Sequence, residues 1–434
     1  MCEHMPRKSS PESRFREYLE ALAVALRHRD RCEPLQAYLT GLMLPGERKS
    51  VEPMAAKVDP LRLGARHQSM HHFVAAAPWD ERAVLRVARD WALGQLERHG
   101  PVAAWVVDDT GIPKKGTHSV GVTRQYCGAL GKQDNCQVAV TVSLVNATMS
   151  IPAAYRLYLP EAWARDTKRR KAAGVPKTIG FQTKGEIALS EIDDLVVDEI
   201  PMAPVVADAG YGVSTAFRQG LTERGFSYVV GITAETTVWP PNVAPLPARA
   251  WSGQGRPPKL LRRTAEHRPL NVAQLAASLP RRAWQIVAWR EGTRGKMQSR
   301  FAATRVRPAH RDYWREKPHD LHWLLIEWPT SEAAPTKFWV STVPPTAAIE
   351  DLVRLAKIRW RIERDFQELK DELGLDHYEG RSWRGFHHHG VLCVAAYAFL
   401  AAERARLSPP EPIAFLQAVP LPEGFRPRGS SYAS

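Results

Sequence analysis

The chain has 434 residues, 44% of them hydrophobic, with a formal net charge of +14. That is ample for two or three domains with buried cores. No run of about 18 apolar residues occurs, which argues against a membrane span. The polar, basic stretch Met1 to Ser10 carries no expected secretory signal. Five scattered cysteines, Cys2, Cys32, Cys127, Cys136 and Cys393, argue against a disulfide framework and for a reducing cytoplasm. The positive excess suits a polyanionic partner, because each neutralised phosphate releases counterions.

Residues 1–100 read as an N-terminal helical domain. Phe15, Tyr18, Leu19, Leu22 and Leu26 recur at helical spacing, as do Val84, Leu85, Ala88 and Trp91. Pro45, Gly46 and Pro78 punctuate it. From about residue 101 to 232 the pattern turns to α/β. Ala103 to Asp109 is a short apolar run ending in two acids. Strands are expected at Cys136–Val145, Ala153–Leu159, Val205–Asp208 and Tyr228–Ile232, with helices at Glu186–Ile200 and near Ser214–Arg224. Residues 233–345 are rich in proline and tryptophan and read as a β-rich insertion, with strands at Trp284–Trp289, Leu321–Glu327 and Lys337–Thr342. Pro344-Pro345 closes it, and Thr346 is the expected cap of the next helix. Residues 346–407 resume the core, and 408–434 form a proline-rich tail, expected to be loosely ordered.

Three acidic sites stand out. Asp108 and Asp109 end an apolar run, a rigid way to aim carboxylates at a hard cation. A turn-forming Asp leaves the same trace. Asp208 repeats the device, and the small residues of Ala209-Gly-Tyr-Gly212 allow a metal or phosphate to approach closely. The third candidate lies in a helix expected from Ile349 to Gly374. Leu355, Ile358, Ile362, Phe366, Leu369 and Leu373 form its buried stripe, and Arg359, Glu363 and Lys370 share a second face. Spacing alone does not choose Glu363 over Asp365, Glu368 or Glu372, and an ion-pair ladder on a solvated face explains such charges equally well.

The stretch Asp108-Asp-Thr-Gly-Ile-Pro-Lys-Lys-Gly-Thr-His-Ser-Val-Gly-Val, with Arg124-Gln-Tyr-Cys-Gly-Ala-Leu-Gly-Lys-Gln-Asp-Asn-Cys-Gln137, resembles the DDE transposases of bacterial insertion sequences. Asp208-Ala-Gly-Tyr-Gly is similar to that group's second acid. Arg359-x3-Glu363-x6-Lys370 is similar to its motif around the third, and Glu372 to His389 continues the likeness. Arg48-Lys-Ser and Gln68 to Phe73 extend it into the helical part. The wider group often has Tyr three residues before the motif Arg, where this chain has Ala356. The resemblance implies an RNase H-like α/β core with a β-rich insertion before the last catalytic helix. It implies catalysis by Asp109, Asp208 and Glu363, and carries the first acid to Asp109 because that acid directly precedes Thr. It also implies two Mg²⁺ ions, for which Mn²⁺ substitutes, and a synaptic homodimer on the element's terminal inverted repeats and target DNA. Arg359, Lys370, Lys114, Lys115, Arg124 and Lys132 are the expected DNA contacts. The alternatives are a decayed or domesticated transposase that only binds DNA, and a stand-alone metal-dependent nuclease. Glycosidases also pair carboxylates but need no such basic surroundings.

Other clusters have blander readings. Arg165 with Lys168 to Lys171, and Arg256, Lys259, Arg262 and Arg263, are either phosphate contacts or solvated surface. His387-His388-His389 suit phosphate contact or packing better than a shared metal. Cys127 and Cys136 lack zinc spacing. Of the eight tryptophans in 233–345, most are expected in a core, with one or two free to stack on bases.

Overall fold

A computed structural model describes residues 10–292 and 295–407. The expected proline-rich tail and Cys2 lie outside these residues. The described chain falls into two compact units. One holds the residues up to Pro201 and again from Trp360, the other Met202–Arg359.

The first unit opens with five helices, α1 Pro11–Leu26, α2 Cys32–Met43, α3 Val51–Val58, α4 Leu63–Ala75 and α5 Glu81–Leu96. Ser10 caps α1 by accepting from the Ser13 N–H, and Pro11 fills the first turn, where no N–H is needed. Asp80 caps α5 through Arg82 and Ala83. The expected stripes face inward: Tyr18, Leu22 and Leu26 on α1, and Val84, Leu85 and Ala88 on α5, are buried. Four strands follow, β1 Ala104–Pro113, β2 Thr123–Cys127, β3 Lys132–Val145 and β4 Ser150–Leu157. β1 runs antiparallel to β3 from Ala104 opposite Val145 to Pro113 opposite Cys136. β2 and β4 pair with opposite ends of β3. Helices α6 Glu161–Arg165, α7 Thr167–Ala172 and α8 Lys184–Val197 come next.

In the second unit, β5 Val205–Ala207 is followed by α9 Ala209–Gly212, α10 Thr215–Glu223 and β6 Tyr228–Ile232. Then come β7 Thr237–Trp239, β8 Leu270–Asn271, α11 Val272–Ser278, β9 Gln285–Gly292, β10 Gly295–Pro308, β11 His322–Trp328, β12 Lys337–Ser341 and α12 Ile349–Lys357. β5 and β6 are parallel, and β12, β11, β10, β7 and β8 extend the sheet antiparallel beyond β6, with β9 also on β10. The sheet is therefore mixed, and the protein is α/β.

The chain then returns to the first unit as α13 Trp360–Asp371 and α14 Trp383–Leu407. α14 is buried on nearly every side through Ala402, as expected of a helix that is apolar all round.

Three local expectations change. β1 does not end at its acids, because Thr110, Gly111 and Ile112 are themselves buried and continue the ladder with β3. The long helix from Ile349 is interrupted at Ile358 and Arg359, where the Ile358 N–H reaches back only three residues to Leu355. Thr346 is not the cap. A turn from the Ala347 N–H to the Pro344 carbonyl delays the helix, and Ala348 takes the cap position without a side-chain bond.

Candidate active site

Asp108 and Asp109 are consecutive in β1, opposite Thr141 and Val140. Consecutive strand residues point to opposite faces, so the two acids serve different sides. Asp108 Oδ1 accepts from the N–H of Asp109. Asp109 Oδ2 meets the Lys184 ammonium at 2.5 Å, with the two side chains 28% and 33% exposed. Lys184 is the first residue of α8. Thr183 fixes that helix start through a capping box: its hydroxyl accepts from the Glu186 N–H, and Glu186 accepts from the Thr183 N–H.

Asp208 follows β5 and caps α9, with Oδ1 accepting from the Tyr211 N–H at 3.3 Å. The glycines beside it serve the protein backbone rather than an incoming ligand. A Cβ on Gly212 would lie 1.9 Å from the Gly231 carbonyl oxygen, and one on Gly231 would lie 2.8 Å from the Ala209 nitrogen. The two glycines therefore let the Asp208 turn seat directly on β6. Arg359 Nη1 stands 3.9 Å from Asp208 Oδ2.

Glu363 is exposed in the first turn of α13. Two of its rivals are held by partners within the protein. Asp365 is only 6% exposed and accepts from the Tyr397 hydroxyl at 2.7 Å, and burial pushes its carboxyl up to about 6. Glu368 is engaged by Arg364 and Arg404. Glu372 is exposed as Glu363 is, so geometry alone leaves that choice open. Lys370 donates to the Gly111 carbonyl at 3.0 Å, and burial holds its amine below the usual lysine range.

Asp109 and Glu363 belong to the first unit and Asp208 to the second. Among the described residues, no three acid, histidine or cysteine side chains are gathered into a metal cage. Each of these carboxylates, taken by itself, is of a kind that suits a hard divalent cation. Each is at least partly open to water, and Mg²⁺ takes few protein ligands and keeps several waters.

A family model of DDE superfamily endonucleases matches residues 21–296. The chain belongs to this family. It is also 35% identical over 187 residues to a protein of Microchaete diplosiphon named as a probable transposase for insertion sequence element IS701. The matched segment is 43% of this chain, and the chain spans only 45% of that relative.

Beside the candidate acids, Lys184 is the residue that sequence reasoning missed. Its signal was a cation in the first turn of a capped helix, where the helix dipole favours acids. Lys114 donates to the Tyr378 carbonyl at 2.6 Å, and burial lowers its pKa to about 8. Lys115, Arg124 and Lys132 are exposed, Lys132 beside Asp134. Arg359 lies in the turn before α13, not on the helix face that carries Glu363 and Lys370.

Several basic residues prove to be occupied within the protein. Arg263 pairs with buried Asp312, which also accepts from the Trp239 indole. Arg169 and Arg170 donate to backbone carbonyls, and Arg169 covers the Trp163 ring. Lys49 is buried and donates to the Leu42 carbonyl near the end of α2. His387, His388 and His389 are all buried. His387 accepts from the Leu157 N–H, His388 stacks on Trp79, and His389 bonds the Tyr38 hydroxyl. The histidine run is packing, not phosphate contact. Cys32, Cys127, Cys136 and Cys393 are free thiols. Of the eight tryptophans, Trp239 and Trp339 are buried, while Trp251 and Trp314 are 54% and 61% exposed.

Proposed function

We propose that the protein is a transposase that cleaves DNA at the ends of an insertion sequence and joins those ends to target DNA. The observation that carries this reading is the family match over residues 21–296, which includes both Asp109 and Asp208. Glu363 lies beyond the match and is supported by its exposure on α13, the helix that also carries Lys370, and by the resemblance of Arg359-x3-Glu363-x6-Lys370 to the family's third-acid motif.

In this reading the core around Asp109, Asp208 and Glu363 is RNase H-like, residues 233–345 are its insertion, and residues 1–100 bind the element's ends. The three carboxylates hold two divalent ions, Mg²⁺ or Mn²⁺. When bound, the ions activate the attacking oxygen and stabilise the leaving one. Exposed Lys115, Arg124 and Lys132 contact phosphates and fix register without reading sequence. Lys114 and Lys370 act through the backbone they hold, and Arg359 orients Asp208 and the nearby DNA strand. Two copies pair the terminal inverted repeats in a synaptic dimer, at the nucleoid of a bacterial cytoplasm.

The test uses labelled DNA flanking the reading frame, a target plasmid and Mg²⁺. Joined product supports the transposase. Cleavage without joining indicates a nuclease, and a gel shift without either product indicates a DNA-binding protein.

A further inference from the structure

We propose that the Lys184 ammonium stands in for metal charge at Asp109, and that it must leave Oδ2 for a divalent ion to bind there. This rests on the reading of Asp109 as a metal ligand. Lys184 is thus a positioning residue that sets metal affinity.

Four observations lead here. Nζ sits 2.5 Å from Oδ2, so it occupies a coordination direction of that oxygen. Both side chains are about a third exposed or less, so their charges are screened less than at an open surface. Lys184 opens α8, where a cation opposes the helix dipole. The acid of its own first turn, Glu186, is committed to the Thr183 cap. Among the described residues, Asp109 is therefore the carboxylate that answers this charge.

The ammonium has a second partner beside Asp109. The Tyr158 ring lies 5.8 Å from Nζ, within cation–π range. A lysine stem has the rotamer freedom to move toward it while its backbone stays fixed by the cap. Binding a divalent ion then costs the breaking of one ion pair. That competition keeps the bare protein weakly loaded.

The experiment is a Mn²⁺ titration of the full chain without DNA, read by the loss of the free-ion electron paramagnetic resonance signal. Wild type, Lys184→Met, Lys184→Arg and Asp109→Asn are compared, with melting curves for each. Lys184→Met should bind Mn²⁺ about tenfold more tightly, which is about 1.4 kcal/mol. Lys184→Arg keeps the charge and should bind as wild type does. If Lys184→Met does not fold, Lys184→Gln carries the same expectation. Unchanged or weaker binding by a folded, charge-removed variant overturns the inference, provided Asp109→Asn has lost affinity as the metal-ligand reading requires. If Asp109→Asn binds Mn²⁺ as well as wild type, Asp109 is not a ligand, and both the inference and the reading beneath it fall.

Discussion

Lys370 donates its ammonium to the Gly111 carbonyl at 3.0 Å, two residues beyond Asp109. This bond ties α13, which carries Glu363, to β1, which carries the first acid. A charged donor on a carbonyl contributes about 1.5–3 kcal/mol. Lys370→Ala should therefore lower unfolding free energy by about that amount in a denaturant titration, and cleavage should fall with it. Unchanged stability would mean that Lys370 does not hold β1 in solution.

The Asp208 turn depends on Gly212. A methyl group there would penetrate the Gly231 carbonyl at 1.9 Å, and both sides of the contact are backbone. Overpacking of this kind costs about 3 kcal/mol when the surroundings cannot yield. Gly212→Ala should lower the melting temperature and abolish nicking, because the acid moves with its turn. A folded Gly212→Ala protein with full nicking activity would show that the turn tolerates displacement.

The histidine run makes the fold acid-sensitive. Burial lowers the pKa values of His387, His388 and His389 to about 4, 3 and 4, below the ordinary 6.5. The folded state favours the neutral rings, so their stabilisation is complete above pH 6.5. It shrinks as pH falls through 6.5 and is lost by about pH 4 to 3. In that window each group removes about 1.4 kcal/mol per pH unit. Asp365 works in the opposite sense, since its raised pKa relieves a penalty as pH falls through about 6, and burial raises Glu81 and Glu191 likewise, while His322, lowered to about 3, adds to the loss from the histidine run. Urea titrations from pH 7 to 4.5 should show a steep loss of stability, and His388→Asn should flatten it. An equal slope in the variant would mean that His388 is protonated in the fold.

The sequence exposed the strand-end acid Asp208, the α/β alternation and the inward stripes of α1 and α5, because each has a local period or a turn beside it. Tyr228–Ile232 forms a strand over exactly its apolar run. β10 was not anticipated. It alternates poorly, since Arg300, Arg305 and Arg307 lie along it, with Arg300 and Arg305 covering tryptophan rings. α14 was not legible as a helix either, because burial on all sides erases the amphipathic signal. Around the site, the sequence marked the acids but not their partners. Lys184 lies 75 positions from Asp109, and no local pattern reports an ion pair formed across that distance. The small residues after Asp208 were legible as a close approach, but what approaches is β6 itself.

On the proposed function, Asp109, Asp208 and Glu363 carry out metal-dependent cleavage. The direct measurement is nicking of a supercoiled plasmid that carries the reading frame with its flanking DNA, with and without Mg²⁺. Wild type should nick only with the metal. Asp109→Asn, Asp208→Asn and Glu363→Gln should each lower the rate by at least about a thousandfold, about 4 kcal/mol in the barrier, while still shifting the DNA in a gel. Asp108→Asn and Asp365→Asn should retain most of the activity. Wild-type nicking by any one of the three triad variants, or full nicking in a chelator, would contradict the account.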